Sequence, residues 1–448
     1  MPKPQPYNSK ILDPNSFLTI DGERVGFEVI FYNKVSKLPI PIDNFVSLEI
    51  EENLNSPFVK GTLKVRNNNN HFDVLGSDNI EYKLNYSFLE TGQNFIIINI
   101  KRKVKIKTYL LSVIDESNNI ENNNKIKTFY VESIYLHMLR NNKAPFSTIE
   151  LLNGDTTQLS DKDRGVEIDK AIEKVLKNNF DEGVINKEQW HKTSNKTNFT
   201  SNYSDTSLDS LNFLLDKALD DENNFLYLLQ RDNRFNLVSI KSMYEDYLTN
   251  NYENNYGGNF LLTTEDAPTE NIKTVNSARV TDYNIYNENA KHTLENIINY
   301  KVINYNFNKK KFNLFSNDNT VESLTKYINT DLLNSSTRLN REENPKITDN
   351  TFYKSLYSTT SDSETARYEG RNIIFKNLIN ISTMLSFRSQ GIYEINTGNF
   401  INVTYQANNK NRVTNKLNGG WFVVGYKHTF SQNSFGSEIV CTKFHELK

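Results

Sequence analysis

The sequence predicts a mainly β chain with α+β parts: two β-domains, a lateral α+β domain between them, and an insertion. Three observations carry this reading. Apolar and polar residues alternate with period two from about 17 to 140. The period becomes helical in 166–180 and again in 207–219. Alternation returns near 272 and is clearest in 379–444. At 448 residues the chain exceeds what one hydrophobic core usually organises, so several domains are expected.

Residues 1–15 read as an extended arm, because three prolines stand among the first six residues and no apolar stretch follows that would make a signal peptide or an anchor. The first β-domain is placed at 16–140. Val46, Leu48 and Ile50 point one way against Ser47 and Glu49, and the stretches 59–65, 80–86, 95–100, 104–110 and 129–136 repeat the pattern. Polar clusters at Asn67-Asn-Asn-Asn, Thr91-Gly-Gln-Asn and Asn122-Asn-Asn supply the turns. Short strands at regular spacing predict a barrel or a sandwich.

Residues 141–262 are expected to form an α+β domain. Ile168, Ala171, Ile172, Val175 and Leu176 lie on one face of a helix, and Leu208, Leu211, Leu215, Ala218 and Leu219 on one face of another, which Asp205 or Thr206 can cap. The stretches 225–229 and 235–240 read as a hairpin turning at Arg231-Asp-Asn-Arg. The second β-domain is assigned to 263–307 and 361–448, with strands at 274–286 and 297–307, a helix near 363–377, then alternation at Ile379, Ile381, Leu385 and Phe387 and strands to 444. Between its two parts, 308–360 is rich in Asn, Ser and Thr with one helix candidate at 321–333, and reads as an insertion.

Composition limits function. The 52 basic and 54 acidic side chains nearly cancel, leaving no global field to draw in nucleic acid or an anionic membrane. The lone Cys441 can make no intramolecular disulfide, which suits synthesis in a reducing cytoplasm. The longest apolar runs, such as Phe95-Ile-Ile-Ile and Trp421-Phe-Val-Val, fall far short of the roughly 20 residues a membrane helix needs.

A search for chemistry nominates no catalytic, cofactor-binding or metal-ligating residue, and no cofactor. His71, His137, His191, His292, His428 and His445 are scattered singly, without the spacing of a metal site. Gly257-Gly258 and Gly419-Gly420 are not followed by the Lys-Ser or Lys-Thr of a phosphate-cradling loop, and Gly-x-Ser-x-Gly is absent. In 101–107, Lys101, Lys103, Lys105 and Lys107 would share one face of a strand. Such a stripe is either a solvated face whose lysines discourage edge pairing, or a positive stripe facing a lumen or an acidic partner.

One region carries a resemblance. Its order is Gly391-Ile-Tyr-Glu-Ile, Gly398-Asn-Phe-Ile-Asn-Val, an Asn- and Lys-rich loop, Gly419-Gly-Trp-Phe-Val-Val-Gly-Tyr-Lys-His-Thr-Phe and Phe435-Gly-Ser-Glu-Ile-Val-Cys. This resembles the closing barrel of central hub proteins in contractile-tail phage baseplates, and the related hub portion of type VI secretion spike proteins. The motif residues are Gly391, Gly398, Gly419, Gly420, Trp421, Gly425, His428 and Phe430. The resemblance implies two tail-tube-like barrels per subunit and a non-enzymatic homotrimer forming a ring of six barrels. The implied partners are a trimeric spike protein, a hexameric tail tube or tube-initiator ring, baseplate wedge proteins and the tape measure protein. DNA is implied only as cargo passing through the lumen, and the location as the tail baseplate of a virion assembled in the bacterial cytoplasm. The insertion at 308–360 departs from the family pattern. Two other readings remain: a tube initiator or wedge protein, and a cell-wall or glycan hydrolase in which Trp190 would line a groove beside two carboxylates.

Overall fold

The computed structural model describes residues 17–20, 23–32, 37–40, 42–67, 95–102, 105–121, 124–143, 146–151, 165–197, 199–222, 224–249, 256–263, 277–280, 282–286, 300–306, 311–316, 352–356, 384–390, 395–406 and 418–443. The expected strand at 80–86 and the expected helices at 321–333 and 363–377 lie outside them.

The first unit contains β1 (Phe17–Ile20), β2 (Glu23–Tyr32), β3 (Lys37–Pro39), β4 (Phe45–Asn53), β5 (Ser56–Arg66), β6 (Phe95–Arg102), β7 (Lys105–Glu121) and β8 (Asn124–Ser133). The sheet order is β1-β2-β6-β7-β8-β5-β4, antiparallel throughout. Period two sends Phe27, Leu48, Leu63, Ile96, Ile98, Leu111 and Phe129 into one core. The intervening Ile30, Phe58, Ile97 and Leu110 face the other way, into a second core shared with helices. Burial on both faces explains why Phe95-Ile-Ile-Ile is continuously apolar rather than alternating.

The second unit contains β14 (Tyr256–Thr263), β15 (Ser277–Val280), β16 (Tyr283–Tyr286), β20 (Met384–Gln390), β21 (Phe400–Gln406), β22 (Gly419–Ser431) and β23 (Phe435–Lys443). Its order is β15-β14-β21-β22-β23-β20-β16. Apart from β1, this repeats the first unit strand by strand. β14 stands where β2 does, β15 and β16 together where β3 and β4 do, and β20, β21, β22 and β23 where β5, β6, β7 and β8 do. Each ring closes by the same device, a segment that changes neighbours partway. β3 pairs with β2 before β4 pairs with β5, and β15 pairs with β14 before β16 pairs with β20. One difference is that β14 runs parallel to β21 whereas β2 runs antiparallel to β6.

Between them lies the α+β unit. It holds α1 (Ile134–Asn141), β9 (Val166–Glu167), α2 (Ile168–Asn179), β10 (Ile185–Trp190), β11 (Lys196–Thr197), α3 (Ser207–Leu215), β12 (Leu226–Arg231), β13 (Arg234–Ser239) and α4 (Ile240–Thr249). The stripe Ile168, Ala171, Ile172, Val175 and Leu176 is buried as its spacing requires. Thr206 caps α3 in a reciprocal box: its Oγ1 accepts from the Asp209 amide at 3.2 Å, and Asp209 Oδ2 accepts from the Thr206 amide at 2.9 Å. Asp232 and Asn233 take φ of 47° and 61°, the pair of left-handed residues a two-residue hairpin turn needs.

Several sequence expectations are corrected. The strand read through 129–136 ends at Ser133, where α1 begins; α4 follows β13 directly, with no helix expected there. In both, apolar residues needed on two faces hide the change of period. The second helix stops at Leu215, short of 219. β14, placed with the α+β domain, lies in the second ring, where Phe260 and Leu262 are buried. The stretch 300–306, placed with the second β-domain, is β17 (Tyr300–Asn306), which pairs with β18 (Lys311–Ser316) and β19 (Phe352–Leu356) in a separate three-stranded sheet. Strand periodicity reports a sheet face but not which sheet.

Gly61 sits at a close approach of β5 to β4, since a Cβ there would lie 2.1 Å from the Glu49 carbonyl oxygen. Gly61→Ala should lower unfolding stability by about 1–3 kcal/mol or more, whereas Gly183→Ala, with nothing within 4 Å, should stay within about 0.5 kcal/mol. Urea unfolding followed by fluorescence compares the two; equal midpoints would contradict the close approach.

Candidate functional site at the seam between the rings

The two rings are not merely tethered; they are parts of one 15-stranded sheet. The joint is made by β22, which spans 13 residues. One edge pairs with β23 from Trp421 to Phe430. The other is divided: Gly419 to Phe422 pair with β21, and Gly425 to Ser431 pair antiparallel with β4 of the first ring. At the change of partner the β22–β23 register slips, with Val423 opposite Cys441 and Gly425 opposite Val440. The skipped Val424 turns its carbonyl to the Leu54 amide at 2.8 Å. Beyond the slip, Phe430 and Phe435 enter the core of the first ring, stacked with centroids 4.1 Å apart and with Phe430 5.9 Å from Phe27.

A buried polar cluster sits at the slip. Glu52 of β4 is opposite Tyr426 of β22, and its side chain is 2% exposed. Arg231 of β12 donates from Nη1 to Glu52 Oε1 at 2.9 Å, and the Tyr426 hydroxyl donates to Oε2 at 2.9 Å. The Thr397 hydroxyl also donates to Oε1, and Arg231 Nη2 donates to the Thr397 carbonyl. One carboxylate thus gathers groups from both rings and the α+β unit. Burial, and after it the Glu52 charge, push the Tyr109 and Tyr426 phenols far up, so both keep their protons. Lys107 donates to Asn396 Oδ1 at 3.0 Å, with its ammonium 5.3 Å from the Tyr109 ring centre and 5.7 Å from that of Tyr426.

The motif residues of the second ring distribute around this joint. Gly398 has φ of +80°, and a Cβ there would meet Met243 Sδ at 2.9 Å and Leu229 Cδ1 at 3.0 Å, so the α+β unit closes over a position only glycine fits. Gly419, with φ of +109°, starts β22, followed by Gly420. Gly425 lies at the slip, where a Cβ would make ordinary contacts. Trp421 is fully buried, with the Lys443 ammonium 5.1 Å from its ring centre. His428 is buried and shares a 2.8 Å hydrogen bond between Nδ1 and the Ser437 hydroxyl. Burial first, and then the Lys107 charge, hold its pKa well below 6.5. Gly391 lies outside the described residues.

The basic stripe is not one strand face. β6 ends at Arg102, β7 begins at Lys105, and the two run antiparallel with Arg102 opposite Lys105. Lys101 lies opposite Ile106 and shares its face, whereas Lys107 lies opposite Ile100 on the other face. Lys101 is exposed and Lys107 half-buried. Lys103 and the side chain of Lys105 lie outside the described residues. Alternation continues across this reversal, which is why periodicity alone reads a single strand.

Sequence reasoning missed Glu52, Arg231, Thr397 and Tyr426. Glu52 is 179 residues from Arg231 and 345 from Thr397, and no local pattern links such positions. Its one visible mark is an acidic residue on the apolar side of β4. Among the other histidines, His137 lies 3.3 Å from Glu132 and the His191 amide donates to Leu237. No group of three metal-ligating side chains occurs among the described residues.

No protein-family model and no curated protein matches the sequence. Its fold does match solved structures. The chain is similar to the tail protein from Neisseria meningitidis MC58 with a TM-score of 0.51 at 7% identity, over 94% of this chain and 96% of that one. It is also similar to a 43 kDa prophage tail protein from Shewanella oneidensis (TM-score 0.47, 8% identity, 93% and 97% covered). A third likeness is to an Escherichia coli type VI secretion component (TM-score 0.41, 10% identity, 93% and 77% covered). The chain therefore shares, over nearly its whole length, the β-rich fold of that Neisseria tail protein.

Glu52→Ala and Arg231→Ala should each cost about 3–5 kcal/mol, because each leaves a buried charged or polar partner uncompensated. The double variant should cost clearly less than their sum; additive costs in denaturant titrations would show that the pair is not coupled. For His428, the folded-state pKa lies below the unfolded value of 6.5, so the unfolded chain binds the extra proton as pH falls below 6.5 and stability drops there. His428→Gln should flatten that part of the stability curve relative to the parent, and an unchanged slope would show that this imidazole does not carry it.

Proposed function

We propose that the chain is a structural, non-enzymatic hub of a contractile phage tail baseplate, three copies of which form a pseudo-hexameric ring between a hexameric tail tube and a trimeric spike. The observation that carries this reading is the repeated ring topology within one chain, fused edge to edge through β4 and β22. A trimer of such chains presents six similar rings to a sixfold neighbour and true threefold symmetry to a trimeric one. The likeness of fold to a tail protein over 94% of the chain supports the setting. The fused sheet and the buried cluster suit a protein that transmits position rather than one that turns over a substrate.

In this reading the spike, the tube or its initiator ring, the wedge proteins and the tape measure are the neighbours, and DNA passes only as cargo. Among the described residues no helix is long and apolar enough to cross a membrane. The Lys101 face of β6 is a candidate contact with a lumen or an acidic partner, whereas Lys107 is engaged inside the seam.

Multi-angle light scattering on the purified chain, alone and with its spike, should give threefold stoichiometry. A stable dimer would overturn the hub reading, and a sixfold ring would favour the tube initiator or wedge alternatives.

A further inference from the structure

The equivalence of the rings extends to single residues, and one of its joints is open among the described residues. β6 pairs with β7 up to Ser112, and β21 pairs with β22 up to Phe422. One residue later both central strands slip: Val113 is opposite Val131 and Asp115 opposite Tyr130, as Val423 is opposite Cys441 and Gly425 opposite Val440. Residues 115–121 of β7 therefore occupy the place of 425–431 of β22. The outer edge of 425–431 is covered by β4. Among the described residues no strand covers the corresponding edge of 115–121.

The same register identifies the missing neighbour. Ile50 of β4 is opposite Gly61, which is opposite Val131. Ile285 of β16 is opposite Leu385, which is opposite Cys441. Since Val131 and Cys441 are equivalent, β16 is to the second ring what β4 is to the first, and Ile285 matches Ile50. Exposure separates the two joints. Val424, Phe430 and Ile50 are 2%, 1% and 0% exposed, while their counterparts Ile114, Ile120 and Ile285 are 51%, 78% and 38% exposed. Three large apolar side chains lie open where their equivalents are sealed.

We propose that the edge of β7 from Asp115 to Glu121 pairs antiparallel with β16 of a second copy of this chain, repeating between copies the joint that β22 and β4 make within one. In the repeated register Asn118 faces Ile285 of the partner subunit, Asn119 faces Asn284 of the partner subunit, and Ile120 faces Tyr283 of the partner subunit. Ile120 then enters the partner's second ring as Phe430 enters the first ring of its own chain. The occupant is a second copy because the joint needs one edge from each kind of ring, and this chain carries both. The contact is heterologous, so it propagates head to tail and closes when the rotation allows. The backbone hydrogen bonds of an added strand supply affinity, and the apolar side chains set the register. This inference rests on the trimeric ring proposed above and names its interface.

Asn119→Cys combined with Asn284→Cys tests the register, since these positions match Thr429 and Glu49, which are directly opposite and on the solvent face. Opposed strand residues lie close enough for a disulfide, and Cys441 is buried and does not compete. Mild oxidation of the full chain should give a covalent trimer on a non-reducing gel, with neither single variant crosslinking. A trimer in light scattering that forms no crosslink would overturn this seam while leaving the hub reading in place. A chain that neither associates nor crosslinks, or that stops at a dimer, would overturn both. Ile120→Asp, at a position open in the single chain, should leave its thermal midpoint unchanged and raise the concentration for half-assembly at least about tenfold; unchanged assembly would overturn the proposal.

Discussion

A strand of 13 residues cannot be matched by a single neighbour that pairs with only its first few. In β22 the first residues of one edge are taken by β21, and the rest must find another strand or expose a row of backbone donors and acceptors to water. β4 fills that edge, and with it the first ring becomes continuous with the second. The placement of Phe430 in the neighbouring core, the closure of α4 and β12 over Gly398, and the position of Glu52 all depend on this one shared edge.

The buried carboxylate at the joint is better understood as a device for specificity than as a source of stability. Two charges taken out of water recover through their attraction roughly what desolvation costs, so a well-packed apolar cluster would stabilise the seam as well or better. What a carboxylate adds is a demand for particular donors. Glu52 is satisfied only when the first ring, the hairpin bearing Arg231 and the segment bearing Thr397 arrive together. Misregistering β4 against β22 by one residue would take Glu52 away from Tyr426 and send its side chain to the opposite face. The neutral, buried His428 three strand rows from Gly425 adds a second polar group whose hydrogen bond to Ser437 depends on the same register.

Internal repetition changes what one chain can do in an assembly. The two rings share strand order, closing device and the slip in the central strand, while their outer surfaces differ. The α+β unit packs on the first ring through Ile30, Phe58, Ile97 and Leu110, and a separate three-stranded sheet stands between β16 and β20 in the chain. In the proposed trimer, two like rings per chain would give sixfold-like repetition, and the lateral elements would keep the threefold symmetry.

The sequence alone determined the features that depend on nearby residues. Alternation placed most of β4, β5, β22 and β23; helical spacing placed α2; Asp205 or Thr206 marked the start of α3; and Asp232-Asn233 marked a hairpin. The glycines at 398 and 419 stood out as residues of the motif that carries the resemblance, and both take positive φ. Only the tertiary structure decided which sheet each strand joined, that Lys101 and Lys107 face opposite ways, and that Glu52 meets Arg231 and Thr397. The reason is physical: hydrogen-bonding edges of strands are chemically alike whatever their sequence, so local pattern sets which face is apolar, while partner choice is set by the packing of residues hundreds of positions apart.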